Sequence, residues 1–465
     1  MANHMALTRN LNFVPADRTS RKPLSKSTDG SEPGSSAPRR GLRGYLLNSP
    51  RPGKVTAHQD GAIVWDGSGL ITYAGSWQER PRARTISWED WRSRLITPGF
   101  VDVHCHLPQY PAVAQGGLEL LPWLQRYIFP LEKHFTPERA TREASRFFAE
   151  LKRNGITSAA VYVTACPEST EVCFQAARRS KLRIAMGQMM MDVNSYLARD
   201  SRALTRRVLE EGERLCRRWH GAARGRIRYA FSPRFALTCS SELMRATGEL
   251  ARATGAFIQT HLAENPAELV AVRKSFPKAI DYTHVYEQHG LLGPQTIVGH
   301  AIYLSDREYA ALRETGTKVA HCPTANLFLR SGVMDWSRMR SEGVAIGLGS
   351  DVGAGPELNP WQVMKGASYS HKLRVVLTGT GSEPSLADLF RVATVGGAEI
   401  LWPERKLGQI APGFEADLVV WDVDRVDAFE EPLTERTDAE LVLSKLVFRG
   451  ALARAIRTYV GGEAV

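Results

Sequence analysis

Two histidines separated by one residue, His104 and His106, close an apolar run in PGFVDVHCH. On a strand, alternation puts both imidazoles on one face and turns Cys105 away. Two imidazoles on one face can share a divalent cation, although in isolation the pattern more often marks a pair of hydrogen-bonded polar histidines. His261 ends another apolar run and can add a third neutral nitrogen, and Asp351 in GLGSDVGAG can add a carboxylate oxygen. A mixed nitrogen and oxygen set of this kind suits Zn²⁺ or Fe²⁺, with an exchangeable water in the open position. Glu264 follows His261 by three residues, near enough to handle that water's proton without being a ligand. Taken alone, it reads as a solvated loop charge.

These residues lie far apart in the chain, so a scaffold must gather them. Between the ends of the 465-residue chain, eight apolar strand-like runs alternate with amphipathic helical stretches. The runs are Thr97–Leu107, Ile156–Val163, Arg183–Met191, Ile227–Phe231, Ala256–His261, Thr296–His300, Lys318–His321 and Val344–Gly349. The helical stretches include Pro137–Arg153, Ala203–Trp219, Pro266–Phe276 and Asp306–Glu314. This alternation predicts an α/β fold, a (β/α)8 TIM-type barrel, whose C-terminal rim carries the active site. His104, His106, His261, His300, His321 and Asp351 all fall at or just past predicted strand ends.

Short strands and turns before the barrel (GAIVWDGSG, LITYAGS) and after it (APGFEADLVVWDV, RAIRTYVGGEAV) predict a small β-sandwich domain built from both chain ends. The expected division is a flexible basic tail at 1–43, the first part of the β-domain at 44–96, the barrel at 97–404 and the second part of the β-domain at 405–465.

Composition narrows the function classes. The hydrophobic share of 43% fits a large globular core and not a disordered or fibrous chain. No run of about 18 apolar residues offers a membrane span. Six scattered cysteines and no apolar leader point to a reducing compartment, the cytoplasm, without a disulfide scaffold. The formal net charge of +11 could suggest nucleic acid, but eight basic and three acidic residues before residue 44 supply five of those charges. That Ser/Pro/Gly-rich tail is expected to be disordered, and nucleic-acid binding is not expected. No P-C-x-x-C occurs, which excludes the other zinc deaminase chemistry that relies on it.

The motifs PGFVDVHCHLPQ, HLAEN, VGHAIYLS, AHCPTANLFL, GLGSDVG and PGFEADLVVWD, in that order from about Pro98 to Asp422, resemble the metal-dependent amidohydrolase superfamily. Within it, Gln109, LLPWLQRYIFPLE at Leu120–Glu132, MDVN at Met191–Asn194, SPRFALTCS at Ser232–Ser240 and the closing stretch from Thr434 are similar to guanine deaminases. The resemblance implies one catalytic metal, usually zinc, held by His104, His106, His261 and Asp351. It implies Glu264 as proton shuttle, His300 as a hydrogen-bond partner of the attacking hydroxide, and Asp351 as a group that helps orient it. It also implies Gln109, Trp123, Leu124, Arg234 and Phe235 as purine contacts. The expected reaction is attack at C2 of guanine, releasing ammonia and leaving xanthine, in a homodimeric enzyme. Arg and Gln offer the donors and acceptor that a purine edge requires, and aromatic rings can stack on the base.

Other readings stand beside this one. The same fold could act on 8-oxoguanine, another purine or a triazine-type ring, or could be a non-catalytic scaffold, although the full ligand set argues against the latter. The chain departs from the guanine deaminase pattern after Asp351, where Val-Gly-Ala-Gly-Pro-Glu replaces a V-x-G-G turn, and at Arg330, which projects either toward the rim or into solvent. His321 either joins the site or is structural, and Asn326 would brace its loop. Trp123 and Phe129 read equally as core aromatics, and Cys105 and Cys322 as small buried hydrophobes.

Overall fold

The computed structural model describes residues 39–197, 202–426 and 438–465. The strands are β1 Arg39–Arg51, β2 Lys54–Trp65, β3 Ile71–Ser76, β4 Ile86–Pro98, β5 Phe100–His106, β6 Ile156–Tyr162, β7 Arg183–Gly187, β8 Met189–Met190, β9 Ile227–Pro233, β10 Phe257–Leu262, β11 Thr296–His300, β12 Lys318–His321, β13 Ile346–Leu348, β14 Leu418–Asp422, β15 Arg454–Val460 and β16 Glu463–Ala464.

Eight of these, β5, β6, β7, β9, β10, β11, β12 and β13, pair side by side in that order, and the pairs are parallel throughout. Short β8 continues the β7 path and pairs with β9. The parallel strands are buried almost throughout, as expected of a sheet covered by helices on the outside and filled by its own side chains within. Between the residues just past β13 and strand β5 the ring is drawn together by polar contacts. The Asp351 N–H donates to the His104 carbonyl at 2.7 Å, and Asp102 accepts from the Ser350 N–H at 3.0 Å and from its hydroxyl at 2.5 Å.

The helices follow the amphipathic stretches closely: Pro137–Arg153, Arg202–Trp219, Pro266–Ser275 and Asp306–Thr315. Their starts are chemically specified. Thr136 caps the first, with Pro137 in the first turn, and Asn265 with Glu268 and Ser305 with Glu308 form reciprocal capping boxes on the last two.

Both chain ends contribute to the second sheet, ordered β16-β15-β14-β4-β1-β2-β3. It is one continuous, bulged sheet whose buried face carries Leu42, Ile63, Trp65, Ile96, Leu418 and Tyr459. Two sequence boundaries shift. Thr97 and Pro98, expected to open the first barrel strand, pair instead with Val419 and Leu418 of β14. Apolar periodicity cannot register a chain that passes from one sheet to another at Gly99. Residues 39–43, assigned to the tail by charge, are strand, with Leu42 fully buried. The rest of the expected tail, residues 1–38, lies outside the described residues.

Arg183 ties the barrel floor to this sheet. Its buried guanidinium meets Asp417 at 2.7 and 3.0 Å and Glu415 at 2.6 Å. All six cysteines are unpaired, and among the described residues no helix is long and apolar enough to cross a membrane.

Candidate active site

Three barrel strands deliver the four candidate ligands to one point. His104 and His106 come from the end of β5, His261 from β10, and Asp351 from the turn after β13. His106 Nε2 lies 3.3 Å from His104 Nε2, 3.2 Å from His261 Nε2 and 3.3 Å from Asp351 Oδ1, and His104 Nε2 lies 3.4 Å from the same oxygen. Donors bound tetrahedrally to one zinc ion at roughly 2.0–2.1 Å stand about 3.3 Å apart. The spacing of these side chains therefore fits a single small cation.

The neighbours of the imidazoles hold them in place. His261 Nδ1 donates to the Arg234 carbonyl at 2.6 Å, which leaves Nε2 as the lone-pair nitrogen turned inward. His104 fits only because two neighbours lack side chains. A Cβ at Gly299 would stand 2.7 Å from its Cε1, and one at Gly349 would stand 2.8 Å from its Cβ. Tyr162, at the end of β6, stacks on His106 with ring centroids 4.5 Å apart.

Three turns at the rim carry non-glycine residues in the left-handed region: Ala263 at φ +50°, His300 at +69° and Asp351 at +48°. Strained backbone of this kind concentrates at functional sites, and here it occurs where β10, β11 and β13 end. Glu264 follows directly and is buried. Its Oε1 accepts from Ser331 Oγ at 3.0 Å, and its Oε2 lies 3.4 Å from His300 Nε2. Burial, followed by the charge of Asp351, pushes the Glu264 carboxyl up to about 8. A carboxyl in that range can take up and release a proton near neutrality. The Glu264 N–H is itself held at 2.9 Å by Glu268 Oε2.

His300 Nε2 is buried without a protein partner and lies 3.9 Å from Asp351 Oδ2. A cavity opens over these groups. Its lining includes Gln109, Trp123, Leu124, Arg234 and Phe235, together with His106, His261, Glu264, His300, Asp351 and Ala354. All five nominated base contacts thus share one cavity with the carboxylates and imidazoles. The changed loop after Asp351 also reaches it, through the Ala354 methyl.

The remaining open assignments resolve by contact. His321 turns away from the cluster and meets His371, Nε2 to Nε2 at 3.0 Å. Asn326 accepts from His300 Nδ1 at 2.8 Å. Arg330 is 65% exposed at the rim, 3.7 Å from Glu119. Cys105 and Cys322 are buried, and burial pushes both thiols up, away from a nucleophilic thiolate. Trp123 is buried, and its indole N–H is taken by the Gln115 carbonyl.

Sequence reasoning passed over Glu132, Glu268, Ser331 and Tyr162. Glu132 carried one readable signal, an acidic residue at the end of the apolar stretch LLPWLQRYIFPLE. Glu268 stands three residues after Asn265, the spacing of a capping box, and Ser331 and Tyr162 had no signal that spacing could reveal.

Comparison with known proteins agrees with this geometry. The model of the amidohydrolase family matches residues 95–465. The chain belongs to the amidohydrolase family. This amidohydrolase is 35% identical to the guanine deaminase of Escherichia coli over 418 residues, 88% of this chain and 91% of that one. A structure of guanine deaminase from C. acetobutylicum with bound guanine in the active site superposes with a TM-score of 0.83 at 27% identity, covering 92% of this chain and all of that one. An atrazine chlorohydrolase from Arthrobacter aurescens, 20% identical with a TM-score of 0.77 over 91% of this chain and 94% of its own, shares the fold. This amidohydrolase is therefore an enzyme, and guanine deaminases are among its curated relatives.

Proposed function

We propose that this enzyme hydrolyses guanine to xanthine and ammonia with one divalent metal, zinc, held by His104, His106, His261 and Asp351. The observation that carries the reading is one cavity in which Arg234, Gln109 and Phe235 meet His106, His261, Asp351 and Glu264, with His104 clustered against His106 and Asp351. A bound cation supplies Lewis acidity there and brings the pKa of a ligated water to about 7.

The protein's own groups do the rest. Arg234 and Gln109 present donors and an acceptor to the base edge, and Phe235, Trp123 and Leu124 wall the cavity so that the ring lies over the carboxylates. Glu264 takes a proton from the attacking water and gives it to the ring nitrogen. A second transfer leaves the exocyclic amine as neutral ammonia. His300 Nε2, with its Nδ1 proton committed to Asn326, accepts a hydrogen bond from the attacking oxygen. Asp351 Oδ2 faces the same space and helps to orient that oxygen.

Conversion of guanine to xanthine, followed by ammonia release with and without a chelator, tests the reading. Turnover of triazines or other non-purine rings alone would defeat it. The likeness to guanine deaminases also supports a homodimeric, cytoplasmic enzyme, and light scattering checks the first of these.

A further inference from the structure

Glu132 lies in the short helix Phe129–Lys133, its side chain wholly buried, with a partner on each oxygen. Oε1 accepts from Gln109 Nε2 at 2.9 Å, and Oε2 accepts from Arg234 Nη1 at 2.5 Å. We propose that Glu132 is a positioning residue that sets the polarity and charge of the base-recognition wall, making it selective for a neutral heterocycle that offers an acceptor beside a donor. The proposal rests on the reading of this cavity as a purine site.

A carboxylate only accepts hydrogen bonds, so it fixes which end of the Gln109 amide faces it. The nitrogen end is held there, 2.9 Å from Glu132 Oε1, and the Gln109 side chain lines the cavity. The oxygen is left as an acceptor on the cavity wall. Arg234 donates one of its five N–H groups to Glu132, and its side chain lines the cavity as a donor fork. The wall therefore reads as an acceptor next to a donor fork.

Charge sets the second property of this wall. Arg234 is 3% exposed, and the Phe129 ring lies 5.2 Å from its guanidinium carbon. A guanidinium in such a setting without a counter-charge would draw an anion into the cavity. Glu132 pairs with it directly, so Arg234 presents its donors as half of a neutral ion pair. A neutral purine suits this wall, and an anionic ring of similar size does not.

E132Q removes the charge while keeping the side chain's size. Calorimetric Kd values for hypoxanthine, a neutral 6-oxopurine, and orotate, an anionic ring, are measured on metal-loaded wild type and variant, beside KM and kcat for guanine. The expected result in E132Q is a loss of about tenfold or more in hypoxanthine affinity and the same rise in guanine KM, the scale of one charge-assisted hydrogen bond. The kcat should change far less, and orotate should bind about tenfold tighter than to wild type. Equal weakening of both ligands, or a fall in kcat at unchanged KM, overturns the proposal.

Should E132Q not fold, the double variant Glu132→Gln with Arg234→Gln removes both charges. It should lose hypoxanthine affinity and gain none for orotate, and wild-type affinity for hypoxanthine there overturns the proposal. If wild type neither deaminates guanine nor binds hypoxanthine, the purine reading fails. The orotate comparison still decides the charge-balancing role.

Discussion

His300 and Asn326 are joined side chain to side chain, with Nδ1 of the imidazole donating to Oδ1 of the amide across 2.8 Å. The pair spans two strand ends: His300 closes β11, and Asn326 sits in the helix Pro323–Phe328 after β12. Because His300 takes φ +69°, its ring direction is set by this bond as much as by its own backbone. The bond engages Nδ1 and turns Nε2 toward Glu264 and Asp351.

Asn326→Leu should therefore lower kcat by about 10–100-fold, the usual loss when the partner of a site imidazole is removed, with KM changed much less. Steady-state kinetics with guanine measures this. A KM effect as large as the kcat effect would place Asn326 in substrate binding instead.

Glu264→Gln keeps the shape and the hydrogen bond from Ser331 but cannot carry a proton between water and ring nitrogen. We expect metal content to stay near that of wild type and kcat to fall by about 10²–10⁴-fold. Metal analysis paired with ammonia release separates this from ligand loss. Substantial remaining turnover would remove Glu264 from its role.

Gly299→Ala tests the seat of His104. The added Cβ would meet the imidazole at 2.7 Å from Cε1 and 3.0 Å from Nδ1, in the strand next to β10, where the chain has little freedom to yield. The expected cost is about 1–3 kcal/mol of stability, together with reduced metal per chain, read by denaturant unfolding and metal analysis. Normal metal content would mean that the ring has more room than the packing indicates.

His371 gives a pH prediction away from the reaction. Burial, reinforced by Arg374, pushes its imidazole down from the ordinary 6.5 to about 4, and it pairs with buried His321. The folded state then binds fewer protons than the unfolded one. The stabilisation is complete above about 6.5 and is lost as pH falls through the range toward 4, on the order of 3 kcal/mol at most. Unfolding free energies between pH 7 and 4 should show an acid-side loss that is smaller in His371→Gln. Parallel curves would contradict it.

The sequence carried the parts whose physics is local. Strand ends, capping boxes and alternation are set by near neighbours, so eight apolar runs located the barrel, and the positions of His104, His106, His261 and Asp351 at run ends located the rim. Six motifs in order were enough to suggest the family. The Thr97–Leu107 run was legible as strand but not as two strands in different sheets, because handing a chain between sheets leaves no periodic signal.

What tertiary structure alone decided is which buried polar groups face one another. Nothing in the spacing shows that Glu132 reaches Gln109 and Arg234, that His321 turns to His371, or that Gly299 and Gly349 make room for His104. Residue type and order determine what chemistry a chain can perform. The pairing of charges and donors at 2.5–3.0 Å between residues 23 and 102 positions apart depends on how distant strands and helices pack, and only the folded chain fixes that.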